Sequence, residues 1–210
     1  VENNSNIDKE ARKRGTSVYF PGFVIPMLPE VLSNNLCSLR PGEDKFTVMA
    51  EIIIGKDGKI KSYKFYNALI SSSARLTYTQ VDDFLNKKKS ITDKNVIKNI
   101  NNLFSLYKIL KKSRVKRHAV NFDTQEFSFL ISKNNEITGI KNNIRLESQK
   151  LIEECMIAAN VASSLFIKKN KSNSLYRVHD EPTLEKIEDA SISLKNLGYS
   201  LNKTKIICTE

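Results

Sequence analysis

Apolar and polar positions along this chain change their period part-way, and the change predicts its elements. Phe46–Ile54 is strand-like, and Ile60–Ser71 reads as its partner. Between them, GKDGK (55–59) contains Asp-Gly, a pair suited to the tight turn of a β-hairpin. From Thr79 the apolar positions recur at helical spacing. A short helix is expected over Thr79–Leu85. A longer one then places Val96, Ile100, Leu103, Phe104, Tyr107 and Leu110 on a single face. Ala119–Ser132 and Glu136–Arg145 read as strands joined at the turn pair Asn134-Asn135. From Ser148 to about Lys168, Leu151, Ile152, Cys155, Met156, Ala159, Ala162 and Phe166 share a helical face. A last helix is predicted over Thr183–Leu197, with Pro182 at its start and Gly198 just past its end.

Nearer the N-terminus, Asp8 is expected to cap a short helix, Lys9–Arg14, that stops at Gly15. Ser17–Phe20 reads as an extended entry, after which Pro21, Pro26 and Pro29 impose irregular, rigid backbone. Strands and helices mix without a regular βαβ rhythm. The expected fold is therefore α+β, with mixed or antiparallel strands and several packed helices. No repeat or Pro/Gly/Ser-rich linker divides the 210 residues, so one domain over 1–210 is expected.

Composition narrows the class. A hydrophobic fraction of 40% suits a globular domain, and no apolar run approaches the ~20 residues of a membrane span. VENNSNIDKE at the N-terminus contains no apolar leader. Cys37, Cys155 and Cys208 are widely spaced, and neither His118 nor His179 clusters with them, which argues against a zinc site or disulfide framework. A reducing cytoplasm is the expected compartment.

The net charge of +11 favours polyanionic partners. Yet only 8 of the 34 cations are Arg, and evenly spread Lys is more often a solvated surface. The cluster KILKKSRVKRH (108–118) has two readings: cations complementing the end of a helix, or phosphate contacts. Taken singly, the candidate functional residues have plain structural readings as well. Tyr19 suits a half-buried strand, Phe122 a core, Tyr78 a helix cap region and Glu153 a solvated helix face. Asp82-Asp83 suits a solvated helix face near Lys87–Lys89. His179-Asp180 invites a dyad reading, but adjacent residues on extended chain point to opposite sides.

Three separated motifs change these odds. RGTSVYFPGFVIPMLPEVLSNNLCSL (14–39), ARLTY (74–78) and KLIEECMIAANVA (150–162) occur in the order seen in the RNB domain of the RNase II/RNase R exoribonuclease family. The chain resembles that family from about Asn6 to about Leu201, and its RNase R branch more closely. The resemblance implies a grip on single-stranded RNA within a processive 3′-to-5′ exoribonuclease that releases nucleoside 5′-monophosphates. Tyr19 and Phe122 would be the jaws of a clamp on the 3′-terminal nucleotide, where aromatic stacking contributes about 1–3 kcal/mol per base. Tyr78 and Glu153 would sense ribose, since a carboxylate accepts a hydrogen bond from the 2′-OH that DNA lacks.

The family's Mg2+ is held by clustered aspartates upstream of the first motif. Only seven residues precede Asp8 here, so those ligands, and any catalytic or metal residue, are expected outside this chain. No counterpart of the family's arginine-bearing segment near the scissile phosphate is visible, nor a cold-shock or S1 barrel. The chain alone is accordingly expected to be inactive. The alternatives are a non-catalytic RNA-binding remnant, or a structural half completed by a partner chain carrying the rest of the domain.

Overall fold

A computed structural model describes residues 1–119, 126–132, 134, 136–176, 178 and 180–200. It contains α1 (Asn6–Arg14), β1 (Val18–Phe20), β2 (Phe23–Ile25), β3 (Asp44–Ile54), β4 (Ile60–Ser71), α2 (Tyr78–Leu85), α3 (Lys94–Lys116), β5 (Glu126–Ile131), β6 (Ile137–Asn143), α4 (Glu147–Lys169) and α5 (Leu184–Asn196). The strands pair as three antiparallel ribbons, β1–β2, β3–β4 and β5–β6. The expected α+β class is thus what the described residues form. The chain divides into two compact units, Val1–Phe166 and Ile167–Glu210. In the second, Thr183 caps α5 by accepting a hydrogen bond from the Lys186 amide.

Local chemistry moves several boundaries. Ser5, not Asp8, caps α1: its hydroxyl accepts from the Asp8 amide (3.3 Å). Asp8 sits in the first turn, where its carboxylate takes the Asn4 amide (2.9 Å) and Arg12 Nε (3.0 Å). The two residues share the work of satisfying open helix-start amides. The proline-rich stretch is more regular than expected. Pro21-Gly22 turns β1 back into β2, Gly22 supplying the φ of +90°, and Phe20 stacks on Phe23 with centroids 4.8 Å apart. A single π-helical turn, Val31–Leu36, follows. Of the strand expected over Ala119–Ser132, residues 120–125 lie outside the described residues, and Ala119 is not in a strand.

The core of the first unit lies where α3, α4 and the β3–β4 ribbon meet. Val96, Ile100, Tyr107 and Leu110 of α3 are buried, as are Leu151, Ala158 and Ala162 of α4. Helix α3 meets α4 at a constant offset. Tyr107 bonds to Glu147, and Arg114 bonds to Glu154, each partner 40 positions on. A constant positive offset means that the two helices run in the same direction. The GKDGK tip of the ribbon rests on α3, and Phe65 of β4 meets Phe166 of α4 with centroids 5.0 Å apart.

One latch joins the start of α4 to α3. Glu147 accepts from the Tyr107 hydroxyl (2.8 Å), Lys111 Nζ (3.2 Å) and Lys150 Nζ (3.1 Å). Burial alone would raise the Glu147 pKa. The hydrogen bonds from Tyr107, Lys150 and Lys111 overcome it and hold the carboxyl at about 2, against an ordinary 4.5. Burial and the Glu147 contact push the Tyr107 phenol the other way, upward.

Two outcomes follow from this packing. Gly58 has φ +77°, and a Cβ there would meet Ser113 Cβ at 2.4 Å. Gly58→Ala should therefore cost at least about 2 kcal/mol in a urea titration, from backbone strain plus overpacking. A shift under about 0.5 kcal/mol would mean that the tip does not seat on α3. The second concerns acid. A depressed folded-state pKa stabilises the fold above the unfolded value, and that contribution is lost as pH falls toward the folded one. Unfolding titrations should show stability declining between about 4.5 and about 2, with a shallower decline in Glu147→Gln.

Candidate functional site

The site is built around the start of α2. Thr77 accepts from the Gln80 amide (3.2 Å), and the Gln80 side chain returns a bond to the Thr77 amide (2.8 Å). This reciprocal cap fixes the chain at Tyr78, the first helical residue. Ser148 of α4, almost wholly buried, donates its hydroxyl to the Tyr78 carbonyl (2.8 Å). The Tyr78 backbone is thereby tied to α4, while its side chain stays half-exposed. It borders a groove of about 760 Å³ whose other walls include Lys141, Asn142 and Asn143 of β6 and Arg145 and Gln149 around the start of α4.

Arg145 connects this groove to a second, smaller cleft of about 200 Å³ that is also lined by Arg114, Glu153 and Glu154. There Arg145 Nη2 pairs with Glu153 Oε2. Arg114 Nη1 lies 3.6 Å from Glu153 Oε1 and 2.8 Å from Glu154 Oε1. Glu154 is buried, and its hydrogen bond raises the Arg114 pKa further. The adjacent acids thus divide their work. Glu154 locks α3 to α4, and Glu153, less buried, faces two guanidiniums.

Tyr78 and Glu153 thus line two different clefts, and Arg145 lines both. Tyr19 stands elsewhere, on the β1–β2 ribbon opposite Val24, and is 77% exposed. Its ring is open to a stacking partner. Among the described residues no hydrogen bond or ring contact links it to Tyr78 or Glu153. Phe122 and His179 lie outside the described residues. Arg145 and Lys141 were not singled out by the sequence. The signal available was a cation directly before α4, which only the groove that residues of β6 and the start of α4 line together makes meaningful.

The basic cluster 108–118 resolves in part. Lys111 and Arg114 turn toward α4 glutamates, and Lys108 lies over the Phe104 ring at 4.9 Å. Lys112, Lys116 and Arg117 remain exposed. Asp82 accepts from the Asn86 side chain (2.9 Å), and Asp83 pairs with Lys89 (3.5 Å); both acids are only partly exposed, the Asp83 side chain 18%, so the solvated face expected of them is not what α2 presents. Magnesium in a hydrolytic site needs converging oxygen donors. Among the described residues no three His, Cys, Asp or Glu side chains form such a group. Among the same residues no helix is long and apolar enough to cross a membrane.

Comparison with known proteins agrees with this architecture. Ribonuclease R of Escherichia coli (strain K12) is 42% identical over 203 residues, which cover 96% of this chain and 25% of that protein. Ribonuclease R of Mycoplasmopsis pulmonis is 41% identical, covering 98% of this chain and 28% of the relative. The chain therefore spans about a quarter of the length of these curated relatives. Among solved structures, Mycoplasma genitalium RNase R in complex with ribose methylated single-stranded RNA superposes with a TM-score of 0.92 at 32% identity, covering 98% of this chain and 33% of that one. The yeast pseudonuclease Ssd1, at 21% identity and a TM-score of 0.69, shares the fold. The signature of the RNB domain matches residues 1–209, and the chain belongs to that family.

Proposed function

We propose that this chain is the RNA-gripping part of an RNase R-like 3′-to-5′ exoribonuclease, acting in the cytoplasm on single-stranded RNA. In the complete enzyme the products would be nucleoside 5′-monophosphates, and magnesium would be held by groups other than those described. The observation that carries the reading is the half-exposed Tyr78 ring beside Lys141 and Arg145, in a fold that superposes on an RNase R holding single-stranded RNA. An aromatic face takes a base of any sequence, and cations take the phosphates between bases. Tyr19 serves as one jaw on the terminal base, its exposure leaving the ring free to stack, with Phe122 as the other. Glu153 reads the ribose 2′-OH with Tyr78. Its two oxygens offer about four acceptor positions, and the guanidiniums beside it do not fill them all. The chain works as one RNB-like domain, and a complementary chain carrying other RNB segments would complete the catalytic centre.

Two measurements test this. In a salt series with single-stranded RNA, log affinity should fall linearly with log salt. Tyr19→Ala should weaken binding by a further 1–3 kcal/mol, roughly five- to 150-fold. A flat salt response and an unaffected Tyr19→Ala variant would reduce the binding to general stickiness. Separately, labelled RNA incubated with this chain and magnesium should stay intact. Shortening that persists after removal of contaminating nucleases would place a working metal centre within these residues.

A further inference from the structure

The Tyr78 groove contains a cation whose hydrogen-bonding capacity is mostly unspent. Arg145 offers five N–H donors in a planar fork. Among the described residues its hydrogen bonding is confined to Nη2, which meets Glu153. Its side chain is 47% exposed, and it lines the groove together with Tyr78. We infer that Arg145 grips an RNA phosphodiester in this groove and that Glu153 is the positioning residue that holds it there. The inference rests on the RNA-binding reading above and adds the residue that takes the backbone.

Three observations support it. A guanidinium matches phosphate oxygens bidentately, so one tethered edge still leaves donors for an anion. Among the described residues, the charged ones lining the groove are Lys141 and Arg145 against Glu126, so cations outnumber the carboxylate there. The groove also includes Leu146 and Gln149, at the start of α4; their amides are bonded within that turn, Leu146 to the Gln149 side chain (2.8 Å) and Gln149 to the Leu146 carbonyl (3.1 Å), and what the helix start adds is its dipole, which favours negative charge. Glu147 would oppose an anion there, but Tyr107, Lys111 and Lys150 engage its carboxylate.

The test is a salt series on this chain with a short fluorescent oligouridylate. Arg145→Ala should weaken binding about tenfold or more, the size of a lost charged hydrogen bond. It should also lower the salt slope by about 0.7, the loss of one single-strand phosphate contact. Arg145→Lys should keep the slope but bind several-fold more weakly, since an ammonium is a point charge. That advantage of Arg over Lys should vanish in a Glu153→Ala background, where the fork is no longer held. Thermal unfolding confirms that each variant is folded, with Arg145→Gln replacing the alanine variant if needed. An unchanged slope in Arg145→Ala overturns the phosphate grip while leaving the RNA-binding reading intact. An Arg-over-Lys advantage that survives loss of Glu153 overturns the positioning role. A wild-type chain that binds no RNA at low salt overturns both readings.

Discussion

The alignment of α3 on α4 depends on Arg114, whose guanidinium lies between two neighbouring acids of α4. A largely buried carboxylate such as Glu154 must have a partner, because leaving it unpaired costs about 3–5 kcal/mol. Glu147 makes a second attachment seven positions earlier, through Tyr107 and Lys111 of α3. With both latches closed, α4 can neither slide along α3 nor rotate about its own axis. That fixes which of its polar side chains reaches Arg145. Glu154 faces α3, and Glu153, one residue back, is turned by about 100° toward Arg145.

The same constraint sets the groove itself. Ser148 stands one residue after the Glu147 latch, so its hydroxyl is held against the Tyr78 carbonyl. The capping box of α2 then leaves the Tyr78 ring no choice but to project from the first helical turn. Packing energy and site geometry are therefore one property here. The groups that keep α3 and α4 together also decide where an aromatic ring and a guanidinium stand relative to each other.

Much of this framework is legible in the sequence. Helices α3 and α4 and the Asp-Gly turn of β3–β4 depend on residues near each other in the chain, and they appear where expected, but α4 buries Leu151, Glu154, Ala158 and Ala162 and leaves Ile152, Met156 and Phe166 of its expected face exposed. The Pro21-Gly22 hairpin was hidden because three prolines in a short run suggest irregular backbone, although Pro-Gly also suits a tight turn. The exchange of caps at α1 was hidden for a similar reason. Ser5 and Asp8 are both good cap residues, and only geometry shows that one caps while the other braces. Tyr19 and Tyr78 stood out through the family motifs. Arg145 did not, since its meaning depends on Glu153, eight positions away and across a helix start.

Net charge is a poor guide to where an anion would be held. Most of the excess is Lys, and an exposed flexible ammonium loses side-chain entropy when it is fixed on a phosphate. Within 108–118, Lys111 and Arg114 are engaged by glutamates of α4. A cation that an acid already holds in place gives up part of its charge but little further entropy on binding. Arg145 is such a residue, and the RNB fold supplies the acid from the same helix that it locks to α3. In the RNA-binding role proposed for this chain, the grip on a flexible strand would rely on a braced cation beside a fixed ring, and the surrounding lysines would chiefly hasten the encounter.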